Sequence, residues 1–183
     1  VISQLLWPAS LEMLHWFVET WLTTYKQSLP LWLGVDPYQL LSRGEVREAN
    51  PSCDTISSTI KWQWLVVEHI KTQVQQLVVF PNMFALQSQL ESIGALPESV
   101  YVLHSHMTVK QRAEAFRAIK NWQAKTVFST YSQMFQDRRQ LWSIILLDQH
   151  TWYYKNQQDP RYHAVSCAAK LAALYNAQFQ TTG

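Results

Sequence analysis

Apolar side chains recur at Leu11, Leu14, Phe17, Val18, Trp21 and Leu22, the rhythm of a helix with one buried face. Ser10 is placed to cap such a helix and Pro30 to stop it, so the pattern predicts a helical segment over residues 11–33. Past residue 55 the rhythm changes. Short apolar runs at 77–80, 100–103, 126–128 and 144–147 have the length of buried strands. Helical patterns over 60–70, 84–93 and 110–122 lie between them, and an Ala-rich helical pattern over 164–179 follows. Strands alternating with helices at this spacing predict an α/β fold, a parallel sheet with flanking helices. Residues 34–55 hold Gly34, Gly44, Pro37 and Pro51 among polar residues and read as a linker. The expected organisation is a helical segment over 1–33, a linker over 34–55 and an α/β lobe over 56–183.

Composition narrows the class. A hydrophobic content of 48% excludes a disordered chain, and 183 residues suffice for one well-buried domain. The net charge of +2 permits nucleic-acid binding without requiring it. Cys53 and Cys167 are too few and too far apart for a disulfide framework or a zinc site, so a reducing cytoplasm is the expected setting. No run reaches the roughly eighteen apolar residues of a membrane helix, and no signal peptide is recognisable. The chain opens on Val1 and closes on Gly183 in mid-pattern, which reads as a piece of something larger.

The chemistry gathers over 144–163, IILLDQHTWYYKNQQDPRYH. Asp148 ends an apolar strand, and in open α/β sheets sites form at the carboxyl ends of strands. After it come Trp152, Tyr153, Tyr154, Lys155, Arg161, Tyr162 and His163. Rings interleaved with cations suit single-stranded nucleic acid, because bases stack on rings while cations meet phosphates. The competing reading is a Tyr/Trp-rich surface loop packed on its own core. His104 and His106 alternate on one strand but lack a third ligand at metal spacing. No G-x-S-x-G elbow supports a hydrolase.

This stretch resembles motif II and the aromatic-rich loop of the primosomal protein N′ (PriA) family of superfamily 2 DNA helicases. That family reads hydrophobic-D-E-E-H-D-x-S-Y-K-Q and then P-R-Y-H. His150, Tyr154, Lys155, Gln157, Pro160, Arg161, Tyr162 and His163 match without gaps. The acids depart from the pattern. The metal-binding Asp falls on Leu147, the catalytic Glu on Asp148 and the second Glu on Gln149. Sliding by one residue puts Asp148 on the metal-binding position and Gln149 on the catalytic one. Further along the resemblance, His104-Ser105 matches an H-S-G turn, and Thr130 and Ser132 match a G-T-R-S motif in which Tyr131 replaces Arg. Counting back from Pro81 places the P-loop on SCDTISST, of which only Thr59 survives, with Ser58 in place of the Lys. Gly183 lies where motif III would begin. The chain has four glycines, and none lies between Glu45 and Ile93, so the backbone cradle a P-loop requires is not available there.

The resemblance implies a first RecA-like lobe, entered through a helical piece similar to the end of the PriA DNA-binding region. It implies binding of single-stranded or branched DNA by Trp152, Tyr153, Tyr154, Lys155, Arg161, Tyr162 and His163, with Thr130 and Ser132 on the backbone. Asp148 is the catalytic position, and Ser58 with Thr59 the nucleotide position, both degenerate. ATP and Mg²⁺ are expected only if that degenerate site still works; no other cofactor or metal is implied. Replication-restart proteins are the implied partners, with no membrane. Two other readings stay open: a lobe of an active ATP-dependent 3′-5′ DNA helicase, and a protein-interaction domain without nucleic-acid binding.

Overall fold

The structure, a computed structural model, describes residues 6–34, 75–121 and 123–182. The expected helix over 60–70, the linker beyond Gly34, Cys53, and the Ser58 and Thr59 positions lie outside them.

The N-terminal segment is two helices, α1 (Pro8–Thr20) and α2 (Tyr25–Leu33). The chain breaks between them where Leu22 takes a φ of 50°, and Thr24 caps α2 by accepting from the Gln27 N–H. Ser10 is not the cap of α1. The helix starts at Pro8, whose missing N–H is harmless in a first turn, and Ser10 is buried with its hydroxyl 3.2 Å from the Arg138 N–H. Nor does Pro30 stop the segment. It sits inside α2, which ends at left-handed Gly34 (φ 70°), whose N–H donates to the Pro30 carbonyl. Burial of Leu29, Trp32 and Leu33 offsets the helical hydrogen bond that Pro30 removes.

The remainder alternates strand and helix: β1 (Gln76–Phe80), α3 (Met83–Ile93), β2 (Val100–Leu103), α4 (Val109–Lys120), β3 (Thr126–Thr130), β4 (Ser143–Leu146), α5 (Ala164–Tyr175) and β5 (Gln178–Thr181). Every strand pairing is parallel, and the order across the sheet is β2-β3-β1-β4-β5. Residue 179 does not continue the last helix. Asn176 takes a φ of 52°, ends α5, and turns QFQT into a strand beside β4.

Alternation along the strands sorts the core onto two faces, as a side-chain period of two dictates. Val78, Phe80, Phe128, Ile145 and Leu147 meet Leu86 of α3 on one face. Leu77, Val79, Val127, Ile144 and Leu146 share the other with α1, α2, α4 and α5. The strands are apolar on both sides because helices cover both. α1 joins this second core through Phe17, whose ring lies 5.5 Å from Trp32, 5.2 Å from Phe135 and 5.4 Å from Tyr162. Among the described residues no helix is long and apolar enough to cross a membrane.

Candidate nucleic-acid interface at the carboxyl edge

The register brings Leu103 beside Ser129, Phe80 beside Thr130, Val79 beside Leu146 and Leu146 beside Thr181. His104, Thr130, Asp148 and the loop after it therefore emerge on one edge of the sheet. β1 and β4 are neighbours, yet β1 leads into α3 on one face and β4 into α5 on the other. That divergence makes a crevice at the strand ends, where α/β sheets hold their ligands.

Asp148 stands at this point with a φ of 51°, in the left-handed region that Asp and Asn tolerate better than other side chains. Its N–H donates to the Thr182 hydroxyl at 3.1 Å, and the Gln149 N–H to the Thr182 carbonyl at 2.9 Å. The Asp148 side chain is exposed. Leu147, the ungapped counterpart of the metal-binding Asp, is buried in the α3-side core and offers no donor atom. Gln149 is neutral. The residues at this strand end thus do not reproduce the metal-binding Asp followed by a catalytic Glu of the motif they resemble, and no three His, Cys, Asp or Glu side chains group for metal binding among the described residues.

The aromatic loop separates into anchors and presented groups. Tyr154 and Tyr162 are anchors: both are buried, so in this arrangement their rings are not open to a base. The Tyr154 hydroxyl bonds to the Leu147 carbonyl and lies 3.3 Å from that of Val79, tying the loop across β1 and β4. Its ring meets Tyr131 at 6.1 Å, and Tyr131 meets Tyr162 at 6.4 Å. Burial, reinforced by the Asp148 charge, pushes the Tyr154 phenol well above its ordinary range; burial does the same to Tyr162. Thr130 is also buried, with its hydroxyl 3.4 Å from that of half-buried Ser132.

Held above these anchors, Trp152 and Tyr153 stack on one another with centroids 4.2 Å apart and planes 23° from parallel. They are 66% and 40% exposed, which is costly for two large rings without a partner. Lys155, next in the loop, is exposed, and Arg161 is exposed and pairs with the exposed Asp159 at 3.5 Å. A bridge between Lys155 and His163 closes the loop, and the Asn156 amide donates to the carbonyls of Gln158 and Pro160, both at 2.9 Å. His163 is half-buried at the start of α5.

A crevice of about 460 Å³ opens between the end of β1, the first turns of α3 and the end of β4. Asn82, Phe84, Ser88 and Gln89 line it, and the sequence pattern did not single them out. One signal was present: Phe84 breaks the apolar face of α3 defined by Leu86, Leu90 and Ile93, and it is 81% exposed. Among the described residues no third metal-ligating side chain joins His104 and His106. The His104 Nδ1 accepts from the His106 N–H at 3.1 Å, and burial followed by the His106 and Arg112 charges lowers the His104 pKa.

Fold and crevice together define the class: an α/β domain of RecA-like type, with exposed aromatic and basic side chains at its carboxyl edge. No protein-family model matches the chain. It is 31% identical over 122 residues to "Replication restart protein PriA" of Haemophilus influenzae, and 26% identical over 108 residues to the protein of that name in Bacillus subtilis. These alignments cover 61% and 58% of this chain but only 15% and 13% of the relatives. The chain is therefore related to PriA over about 60% of its length and spans a small part of the length of the curated relatives it matches.

Proposed function

We propose that this chain is a PriA-related first helicase lobe that binds single-stranded or branched DNA at its carboxyl edge and is impaired in ATP hydrolysis. One observation carries the reading, the exposed Trp152–Tyr153 stack in the loop that also exposes Lys155 and Arg161, a loop fixed to the sheet by Tyr154. Stacked exposed rings give a further base a preformed surface, and the neighbouring cations meet the backbone phosphates. Rigidity matters because a platform held by the core has little entropy to lose on binding. Half-buried Ser132 lies farther along the same edge, where its hydroxyl donates to a phosphate oxygen, while buried Thr130 supports it from behind. The similarity to replication restart proteins supports DNA and restart factors as partners.

Impaired hydrolysis is supported by the residues at motif II. Phosphoryl transfer needs metal-held phosphates and neutralised charge, and here Leu147 and Gln149 flank a single acid. The test is a fluorescence titration with single-stranded and forked DNA at two salt concentrations, with and without Mg-ATP. Salt-sensitive binding that ignores ATP and weakens in Trp152→Ala/Lys155→Ala supports the reading. A response to ATP would restore a working nucleotide site, and no binding would leave the aromatic edge to a protein partner.

A further inference from the structure

We infer that the crevice between β1 and β4 is a pocket for one nucleobase bearing an exocyclic amino group, cytosine in the first instance, with Asp148 as the acceptor that selects it. The inference deepens the DNA-binding reading and rests on it for the source of the base.

Three observations converge. The first is place: the crevice lies where the connections from β1 and β4 part to opposite faces of the sheet, and Thr151 on its wall is followed directly by the Trp152–Tyr153 stack.

The second is charge. Among the described residues that line the crevice, Asp148 alone is ionisable and none is a cation. A phosphate is repelled from such a wall, while a neutral base is not; the exposed cations Lys155 and Arg161 belong to the following loop and do not line the crevice. Base inside and backbone outside is the division this distribution favours.

The third is hydrogen-bond type. The Asp148 carboxylate has no hydrogen bond or ion pair to a described residue, and a carboxylate accepts only. Its natural match on a base is an amino group, as when Asp or Glu accepts from cytosine N4. Ser88, Gln89 and Thr151 both donate and accept and so complete a base edge, while the 81% exposed ring of Phe84 offers a face for it to lie on. Asn82 keeps its carbonyl on the Ala85 N–H, capping α3, which leaves its amide N–H₂ as a donor for a base carbonyl. The volume falls within the range of small-ligand sites.

The experiment compares oligodeoxycytidine with oligodeoxythymidine of equal length, above neutral pH, with free cytidine and thymidine as separate arms. Both oligomers stack and carry phosphates alike, so a difference between them reports the base edge. The expected result is about fivefold or more tighter binding of the cytidine oligomer, the low end of one discriminating base contact. That preference should vanish in Asp148→Gly, chosen because glycine accepts the positive φ, and shrink in Asp148→Asn, which keeps the side-chain shape. Circular dichroism of both variants checks that they fold. Equal binding of the two oligomers by the unaltered chain would overturn the inference and leave the DNA-binding reading standing. If neither oligomer binds but cytidine does, dependent on Asp148, the crevice is a site for the free nucleoside and the DNA reading fails. If cytidine also fails to bind, the inference falls with it.

Discussion

The Tyr154 hydroxyl is bonded to the main-chain carbonyl of Leu147, seven residues before it, and lies within reach of the Val79 carbonyl on the neighbouring strand. One phenol thereby ties the aromatic loop to the ends of the two central strands. It turns a run of side chains that sequence alone shows as equivalent into an inner anchor and an outer surface.

Tyr154→Phe removes that tie while keeping the ring. A buried carbonyl then loses its partner, so stability should fall by about 1–3 kcal/mol. DNA affinity should fall with it, although no DNA-facing group has changed. Denaturant unfolding followed by the same titration checks this; an unchanged midpoint would mean that the hydroxyl is not an anchor.

Trp152→Ala should do the reverse. The ring is mostly exposed, so stability should stay within about 0.5 kcal/mol, while single-strand affinity drops by the roughly 1–3 kcal/mol of a stacking contact. A loss of stability comparable to the loss of binding would instead place Trp152 among the packing residues.

Salt dependence separates the cations from the rings. Each phosphate contact to a single strand contributes about 0.7 to the slope of log affinity against log salt. Lys155→Ala and Arg161→Ala should each lower the slope by roughly that amount, whereas Trp152→Ala should weaken binding and leave the slope in place. A slope unaffected by either cation variant would remove both from the backbone contacts.

Gly34→Ala tests the end of α2. Glycine holds a φ of 70° there, and a Cβ would lie 2.6 Å from the Phe116 ring. Left-handed strain alone costs about 1–3 kcal/mol, and displacement of a buried ring adds to it. The unfolding midpoint should fall clearly; no change would mean that α2 and α4 are less closely joined than the structure shows.

At alkaline pH the buried phenols should govern unfolding. Tyr154 and Tyr162 have pKa values raised in the folded state by burial, so the folded chain holds those protons longer than the unfolded one. Their contribution is fully present below the unfolded phenol pKa of about 10 and is lost as pH rises above it. Arg138 opposes this: burial lowers its pKa to about 10, so the folded chain releases that proton first and gains stability over the same range. Burial raises the Tyr131 and Tyr175 phenols as well, so four phenols stand against one guanidinium and net destabilisation is expected. Tyrosinate absorbance recorded with circular dichroism should show these tyrosines ionising only as the chain unfolds.

The α/β class was legible in the sequence because strands buried on both faces must be short, continuous apolar runs, and the helices between them must each carry one apolar stripe. The likeness of 150–163 to the PriA loop was equally plain, since it depends on residue identity and spacing alone. Which side chains of that loop face outward was not legible: Tyr153 and Tyr154 are adjacent and chemically alike, and only the position of the Leu147 and Val79 carbonyls draws one inward. Ser10 shows the same limit, because its hydroxyl abandons a local capping role for the Arg138 backbone, 128 residues away. QFQT could be read as the end of a helix until the open side of β4 offered its backbone a partner. The crevice had no linear signal at all, because Asn82 and Gln89 meet Asp148 only through the pairing of β1 with β4. Local chemistry and periodicity are properties of neighbours in the chain, and they determined the elements and the kind of fold. Orientation, burial and the crevice depend on contacts between residues far apart in sequence, and only the tertiary structure decided them.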